Sequence, residues 1–284
     1  MSVSIEILAD PARSCATLMV GAALRGGQIV LTGGSTPRSA YSHFAQAVRT
    51  VDMDLSGTTF WVSDERCVPV DDERCNWRMI SESLLDALGP EHRPAAAHRM
   101  RGELGPGPGA EDYERELLAA GPPCFDLVLL GIGPDGHCAS LFANQPSLSE
   151  RERLVVGVPQ AGHEPLVPRI SLTLPAIARA REVVFLATGE SKAPAVARAF
   201  GAHARPDPAT PASLVAAQAA SVTVLLDEAA ASALDGSGSA IGGSASALDG
   251  SGSAIGGSES APSGTGPALG EAGRPGPNAP GGRG

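Results

Sequence analysis

The sequence predicts an α/β fold, a mostly parallel sheet flanked by helices, on two observations. Apolar strand-like runs take turns with helix-like segments through the first 231 residues, the arrangement that builds a parallel sheet covered on both faces. Several runs are also continuous in Val, Leu and Ile, most plainly LVLL at residues 127–130, as expected of strands buried on both sides. The strand candidates are residues 4–8, 28–32, 58–63, 125–132, 154–158, 169–173, 182–188 and 221–226. Helices are expected at 11–24, 37–48, 76–88, 111–119 and 192–200, several opened by Asp, Ser or Pro, which favour a helix start. The Pro/Gly-rich stretch 89–109 reads as a surface loop.

Composition divides the 284-residue chain near Ala231 into one α/β domain, 1–231, and a Gly/Ser/Pro-rich tail, 232–284. Residues 232–245 (SALDGSGSAIGGSA) recur almost unchanged at 246–259. Each copy offers only a Leu and an Ile as large apolar residues, too little to offset the entropy of ordering it, so the tail is expected to be a disordered linker.

The formal charge of −10 disfavours nucleic acid and anionic membranes as partners, although a few cations can still line a local anion pocket. Five cysteines, an odd number with no CxxC pair, argue for reduced thiols and a cytoplasmic setting. No metal motif is present, and no metal or other cofactor is expected. The N-terminus MSVSIEILADPARS lacks a basic region and a long apolar core, so a soluble, unexported protein is expected, with no membrane span. A monomer or weak homodimer is the expected state.

Two Gly-rich turns carry the chemistry. In LTGGSTP (31–37) an apolar run meets Gly33, Gly34, Ser35 and Thr36 just before a helix. Glycines let backbone approach a ligand, the hydroxyls offer hydrogen bonds, and the helix start aims N–H groups and a positive dipole end at the same place. The turn suits a phosphate; without a P-loop Lys or a third Gly, a nucleotide is the weaker reading. In LVLLGIGPDGHCASLF (127–142) the run meets a turn holding Asp135 and His137, followed by an expected helix-like segment. His137 is the candidate acid–base group because imidazole titrates near neutral pH, and Asp135 is placed to orient it. The other histidines, His43, His92, His98, His163 and His203, have no comparable setting. Cys138 is disfavoured as a nucleophile, since adjacent side chains diverge.

A third run ends in Asp64, Glu65 and Arg66, whose charges are expected to face the same crevice at the carboxyl ends of the strands. Arg169 (PRISLT) opens another strand and Lys192 (GESK) starts a helix after one; both are candidate phosphate cations, Arg169 through a forked contact and Lys192 as a point charge.

Together LTGGSTP, SDER with a later Asn76, GIGPDGH followed by ASLF, PRISLT, GESK and PASLV resemble the 6-phosphogluconolactonases, in this order and across nearly all of residues 1–231. The resemblance implies a modified Rossmann-like sheet shared with glucosamine-6-phosphate deaminases and ribose-5-phosphate isomerases. It also implies cofactor-free hydrolysis of a small-molecule phosphosugar lactone, with His137 as the base, Gly33, Gly34, Ser35 and Thr36 on the substrate, and Asp64 and Arg66 in the family's Asp and Arg positions. Two positions depart from the pattern: Cys138 stands where the family usually has Thr, and Cys75 where it often has Ser.

Two rival readings are weaker. The deaminases resembling this chain follow their histidine turn with Phe-Asn-Glu-Pro, whereas here Gln145 precedes Pro146. Sugar-phosphate sensors carry a DNA-binding module ahead of the sheet, whereas here the first strand is expected within a few residues of Met1.

Overall fold

The computed structural model describes residues 2–121 and 124–234. The expected linker lies, but for its first three residues, outside the described residues. The strands are β1 (Ser2–Ile7), β2 (Gln28–Leu31), β3 (Thr59–Val62), β4 (Asp64–Arg66), β5 (Ala96–Ala97), β6 (Leu127–Leu130), β7 (Val155–Val158), β8 (Arg169–Leu172), β9 (Val183–Ala187) and β10 (Ser221–Leu226). The helices are α1 (Pro11–Ala23), α2 (Ser35–Thr50), α3 (Asn76–Ile80), α4 (Asp86–Leu88), α5 (Pro106–Ala119), α6 (Leu174–Ala178), α7 (Ala193–Phe200), α8 (Pro211–Gln218) and α9 (Glu228–Ala231).

Seven strands form one sheet in the order β1-β10-β9-β6-β2-β3-β5, and each pairing is parallel. The continuous apolar run of β6 explains its central place. Leu127 and Leu129 enter one core with Met19, Phe44 and Phe60, while Val128 and Leu130 enter the other with Tyr113, Phe185 and Phe200. Successive side chains point to opposite faces, so only a strand with a helical layer on both sides can bury all four. After β2 the chain continues to β3 on one side, whereas after β6 the parallel sheet resumes at β9 on the other. That divergence between neighbours opens a crevice at the carboxyl ends of β2 and β6, where both Gly-rich turns lie.

The start of α1 is as the sequence suggests: Asp10 accepts the Arg13 N–H at 3.0 Å ahead of Pro11. Asp227 accepts the Ala230 N–H at 2.7 Å in the same way in α9.

Other expectations are corrected. The runs at 154–158 and 169–173 leave the parallel sheet and join β4 in a separate antiparallel one, ordered β4-β8-β7. The supposed surface loop 89–109 adds β5 to the sheet edge and buries Met100 and Gly102. A Cβ at Gly102 would fall 2.2 Å from the Arg66 carbonyl, so that segment is packed tightly on β4. α5 begins at Pro106 rather than at 111, with Gly105 at φ +83° before it. The helix expected at 76–88 passes through a π-helical turn, Ser81–Leu85, between α3 and α4. No helix follows His137. Ala139 sits at φ +49°, and the N–H and hydroxyl of Ser140 bond to Ser171 and Asp64. Those long-range bonds replace the local ladder a helix would need. Short α6, α8 and α9 were not expected.

Candidate active site

The crevice holds a cleft of about 240 Å³ lined by both Gly-rich turns together with Asp64, Arg66, Asn76, His163, Arg169 and Lys192. His137 and the Gly33–Gly34 pair, about a hundred residues apart in sequence, therefore face one space.

On the β2 side the wall is mostly backbone. The hydroxyl of Tyr41, on α2, takes the Thr32 N–H at 2.8 Å and donates to the Thr32 carbonyl at 2.7 Å, which fixes where β2 ends. A Cβ at Gly33 would lie 1.9 Å from Asn76 Oδ1, so only glycine lets the α3 amide lie against the turn. Gly34, at φ +105°, precedes α2 without a side-chain cap. The first N–H groups of α2 are thus left for an anion, with the dipole in its favour.

On the β6 side the wall is side chain. Gly133 donates to the His137 carbonyl at 2.8 Å, and Gly136, at φ +93°, donates to the Gly133 carbonyl at 2.9 Å. His137 Nδ1 lies 2.6 Å from Asp135 Oδ1. A Cβ at Gly133 would come within 2.1 Å of that same Nδ1, so this glycine clears the space the imidazole fills. Burial would raise the Asp135 carboxyl pKa, but the hydrogen bond and charge of His137 and nearby N–H groups outweigh it and hold the carboxyl at about 2. Asp135 itself stands behind the imidazole rather than in the cleft lining.

The remaining charges come from β4, β8 and the turn after β9. Both Asp64 oxygens are engaged, one by Ser63 Oγ at 2.9 Å and the other by Ser140 Oγ at 2.7 Å. Glu65 does not face the crevice as expected. It is 1% exposed and accepts the N–H groups of Arg66, Asn76 and Trp77, each at 2.7 Å, so it caps α3. Burial pushes its pKa up to about 7 against those bonds. Arg66 and Arg169 are direct partners across β4 and β8. Two like charges opposite one another are unfavourable unless an anion lies between them. Arg169 does not present a whole fork, however. Its Nε donates to the Val167 carbonyl at 3.1 Å and an Nη to the Pro165 carbonyl at 2.7 Å, and desolvation lowers its pKa. Lys192 is half-buried, its pKa lowered by desolvation and supported by the Asp135 charge.

Cys138 is 1% exposed and burial drives its thiol well above the ordinary 9.0, which removes it as a nucleophile. Gln145 donates to the Gln160 carbonyl at 2.9 Å and is absent from the cleft lining. Among the described residues no group of three or more His, Cys, Asp or Glu is placed to hold a metal ion. None of their helices is long and apolar enough to cross a membrane. His163, set aside in the sequence, lines the cleft with its ring 5.4 Å from that of His137. No local pattern marks it, because the contact is made by a loop remote in sequence.

A family model described as glucosamine-6-phosphate isomerases/6-phosphogluconolactonase matches residues 8–224. The chain is 38% identical over 210 residues to a 6-phosphogluconolactonase of Streptomyces coelicolor, covering 69% of this chain and 79% of that one. With a Synechocystis 6-phosphogluconolactonase the identity is 39% over 216 residues, 72% and 85% of the two chains. Among solved structures, a 6-phosphogluconolactonase from Leishmania guyanensis superposes with a TM-score of 0.68 at 25% identity, covering 81% of this chain and 98% of that one. The chain belongs to the glucosamine-6-phosphate isomerase/6-phosphogluconolactonase family, with its mostly parallel, Rossmann-like sheet.

Proposed function

We propose that this chain hydrolyses 6-phospho-D-glucono-1,5-lactone to 6-phosphogluconate, the second step of the oxidative pentose phosphate pathway, without metal or organic cofactor. One observation carries this reading: an imidazole backed by a carboxylate shares a cleft with an uncapped helix start and three cations. The family and the lactonases it resembles supply the substrate class.

In this reading Gly33, Gly34, Ser35 and Thr36 hold the phosphate with Lys192, while Arg66 and Arg169 face the sugar acid or the phosphate from the other side. Fixing the lactone at its charged end places the carbonyl beside His137 and makes the attack effectively unimolecular. His137 takes a proton from water as the water oxygen bonds to the carbonyl carbon. Asp135, a partly exposed carboxylate, holds the ring in one tautomer and offsets the positive charge it gains, the role a carboxylate behind a catalytic histidine plays. Arg66 or cleft N–H groups stabilise the oxyanion, and collapse of the tetrahedral intermediate breaks the bond to the ring oxygen, which takes a proton. Asp64, which lines the cleft, acts as the counter-charge that keeps Arg169 ionised in its buried setting.

The deaminase alternative needs a carboxylate near Gln145, whose amide is instead committed to Gln160. The thiols, all unpaired, suit a cytoplasmic setting, and a monomer or weak homodimer is proposed. Acid release from freshly made 6-phosphogluconolactone, measured beside ammonia release from glucosamine 6-phosphate, tests the assignment. Ammonia without acid, or binding of either compound without turnover, would overturn it.

A further inference from the structure

His163 and His137 present matching imidazoles to the cleft. His137 has its Nδ1 against Asp135, and His163 has its Nδ1 3.0 Å from the carbonyl of Glu164. A carbonyl only accepts, so His163 carries hydrogen on Nδ1 and keeps Nε2 for exchange with a ligand. The two ring centroids stand 5.4 Å apart with their planes inclined by 43°, close enough for one substrate oxygen to lie near both.

His163 is held there by a buried charge. Arg169, 4% exposed, donates to the carbonyls of Pro165 and Val167 at 2.7 and 3.1 Å and, more loosely, to that of His163 at 3.4 Å. Its guanidinium thus ties together the loop that carries the second imidazole. Burying a guanidinium is unfavourable unless its donors are matched, and here the carbonyls of this loop match them.

Building on the lactonase reading, we infer that His163 is a second catalytic residue, the general acid that protonates the departing ring oxygen while His137 serves as base. The cycle starts with His137 neutral and His163 protonated. Water forms its bond to the carbonyl carbon and gives one proton to His137. The bond from that carbon to the ring oxygen then breaks, and the ring oxygen takes the Nε2 proton of His163. The product acid loses its proton to solvent, and the proton on His137 returns to His163, through solvent, to reset the pair. One lactone and one water thus give one carboxylate and one proton. The charged groups facing His163 are His137, Glu164 beside it, Arg169 beneath its loop, and Asp64, Arg66 and Lys192 around the same cleft; Asp135 acts on it only from behind His137.

The test compares the wild type with His163→Gln and His137→Ala, using 6-phosphogluconolactone and a phosphorylated ester whose alcohol is a nitrophenol, which leaves without a proton. Folding of each variant is checked by thermal melting. For His163→Gln, kcat on the lactone falls about 10²-fold with KM little changed, the alkaline limb of the pH–rate profile is lost, and the defect largely disappears on the nitrophenyl ester. His137→Ala stays impaired on both substrates. Equal losses of His163→Gln on both substrates, an unaltered pH profile, or a change confined to KM would overturn the acid role while leaving the lactonase reading intact. A wild type inactive on the lactone would overturn both.

Discussion

The two walls of the cleft are built from opposite materials. The β2–α2 turn offers backbone: Gly33 makes room for Asn76, Gly34 adopts a left-handed φ, and α2 starts without a side-chain cap. The turn after β6 offers a side chain, and Gly133 clears the space in which His137 sits. In each wall one glycine, Gly33 or Gly133, is required by a close neighbour, and another, Gly34 or Gly136, by a positive φ. The difference is in what substitution removes. On the roles proposed, a changed side chain on the β6 wall should delete chemistry, whereas a changed residue on the β2 wall should displace backbone that binds.

The largest effect expected is from His137→Ala, which should lower kcat by about 10²- to 10⁴-fold with KM little changed; steady-state kinetics against the unaided opening of the lactone reads this directly. A large rise in KM instead would mean that both walls bind and neither reacts.

Gly133→Ala and Gly33→Ala come next and separate the walls. The first pushes a methyl into the imidazole, so kcat should drop about tenfold or more. The second strikes the Asn76 amide, so KM should rise, with a stability loss of about 1–3 kcal/mol as in other overpacked sites, measured by denaturant unfolding. Trimming the amide in Gly33→Ala/Asn76→Ala should recover part of that stability.

Asp135→Asn keeps the shape and loses the charge, for an expected fall in kcat of about 10- to 100-fold. It also has a pH signature. A carboxyl held at about 2 against an ordinary 3.8 lends stability that is full above the higher value and is lost as pH falls through the lower one. Melting temperatures of wild type and variant should therefore converge between about pH 4 and 2. Parallel curves through that window would show that the pair contributes nothing to folding.

The mildest change is Lys192→Ala, with KM up by about tenfold, kcat close to wild type, and a weaker dependence of KM on salt. An equal fall in kcat would place Lys192 beside the reacting carbonyl instead of the phosphate.

What the sequence made legible follows the same division. Gly33 and Gly34 stand out because strand, glycines and helix start are contiguous, and the His137 turn because its glycines follow the buried run of β6 directly. The parallel sheet is legible because LVLL in β6 must be buried on both faces. Glu65 reads as one more cleft charge until α3 folds back to place the N–H groups of Asn76 and Trp77 against it. Residues 138–142 read as helical because Ala, Ser, Leu and Phe permit a helix, while the bonds from Ser140 to Asp64 and Ser171 that forbid one span 76 and 31 residues. β4 is three charged residues, whose strand character comes from β8 and not from their own propensity. His163 escapes notice for the same reason, its position being set by Arg169.

The burial of the cysteines has a practical consequence. Cys15, Cys75 and Cys138 are enclosed and Cys67 is partly covered, and burial raises all four thiols, while Cys124 is exposed just ahead of β6. A maleimide dye should therefore label the native enzyme at one point, on the edge opposite the carboxyl end of β6. Fluorescence could then follow ligand capture without any reporter entering the reaction chamber.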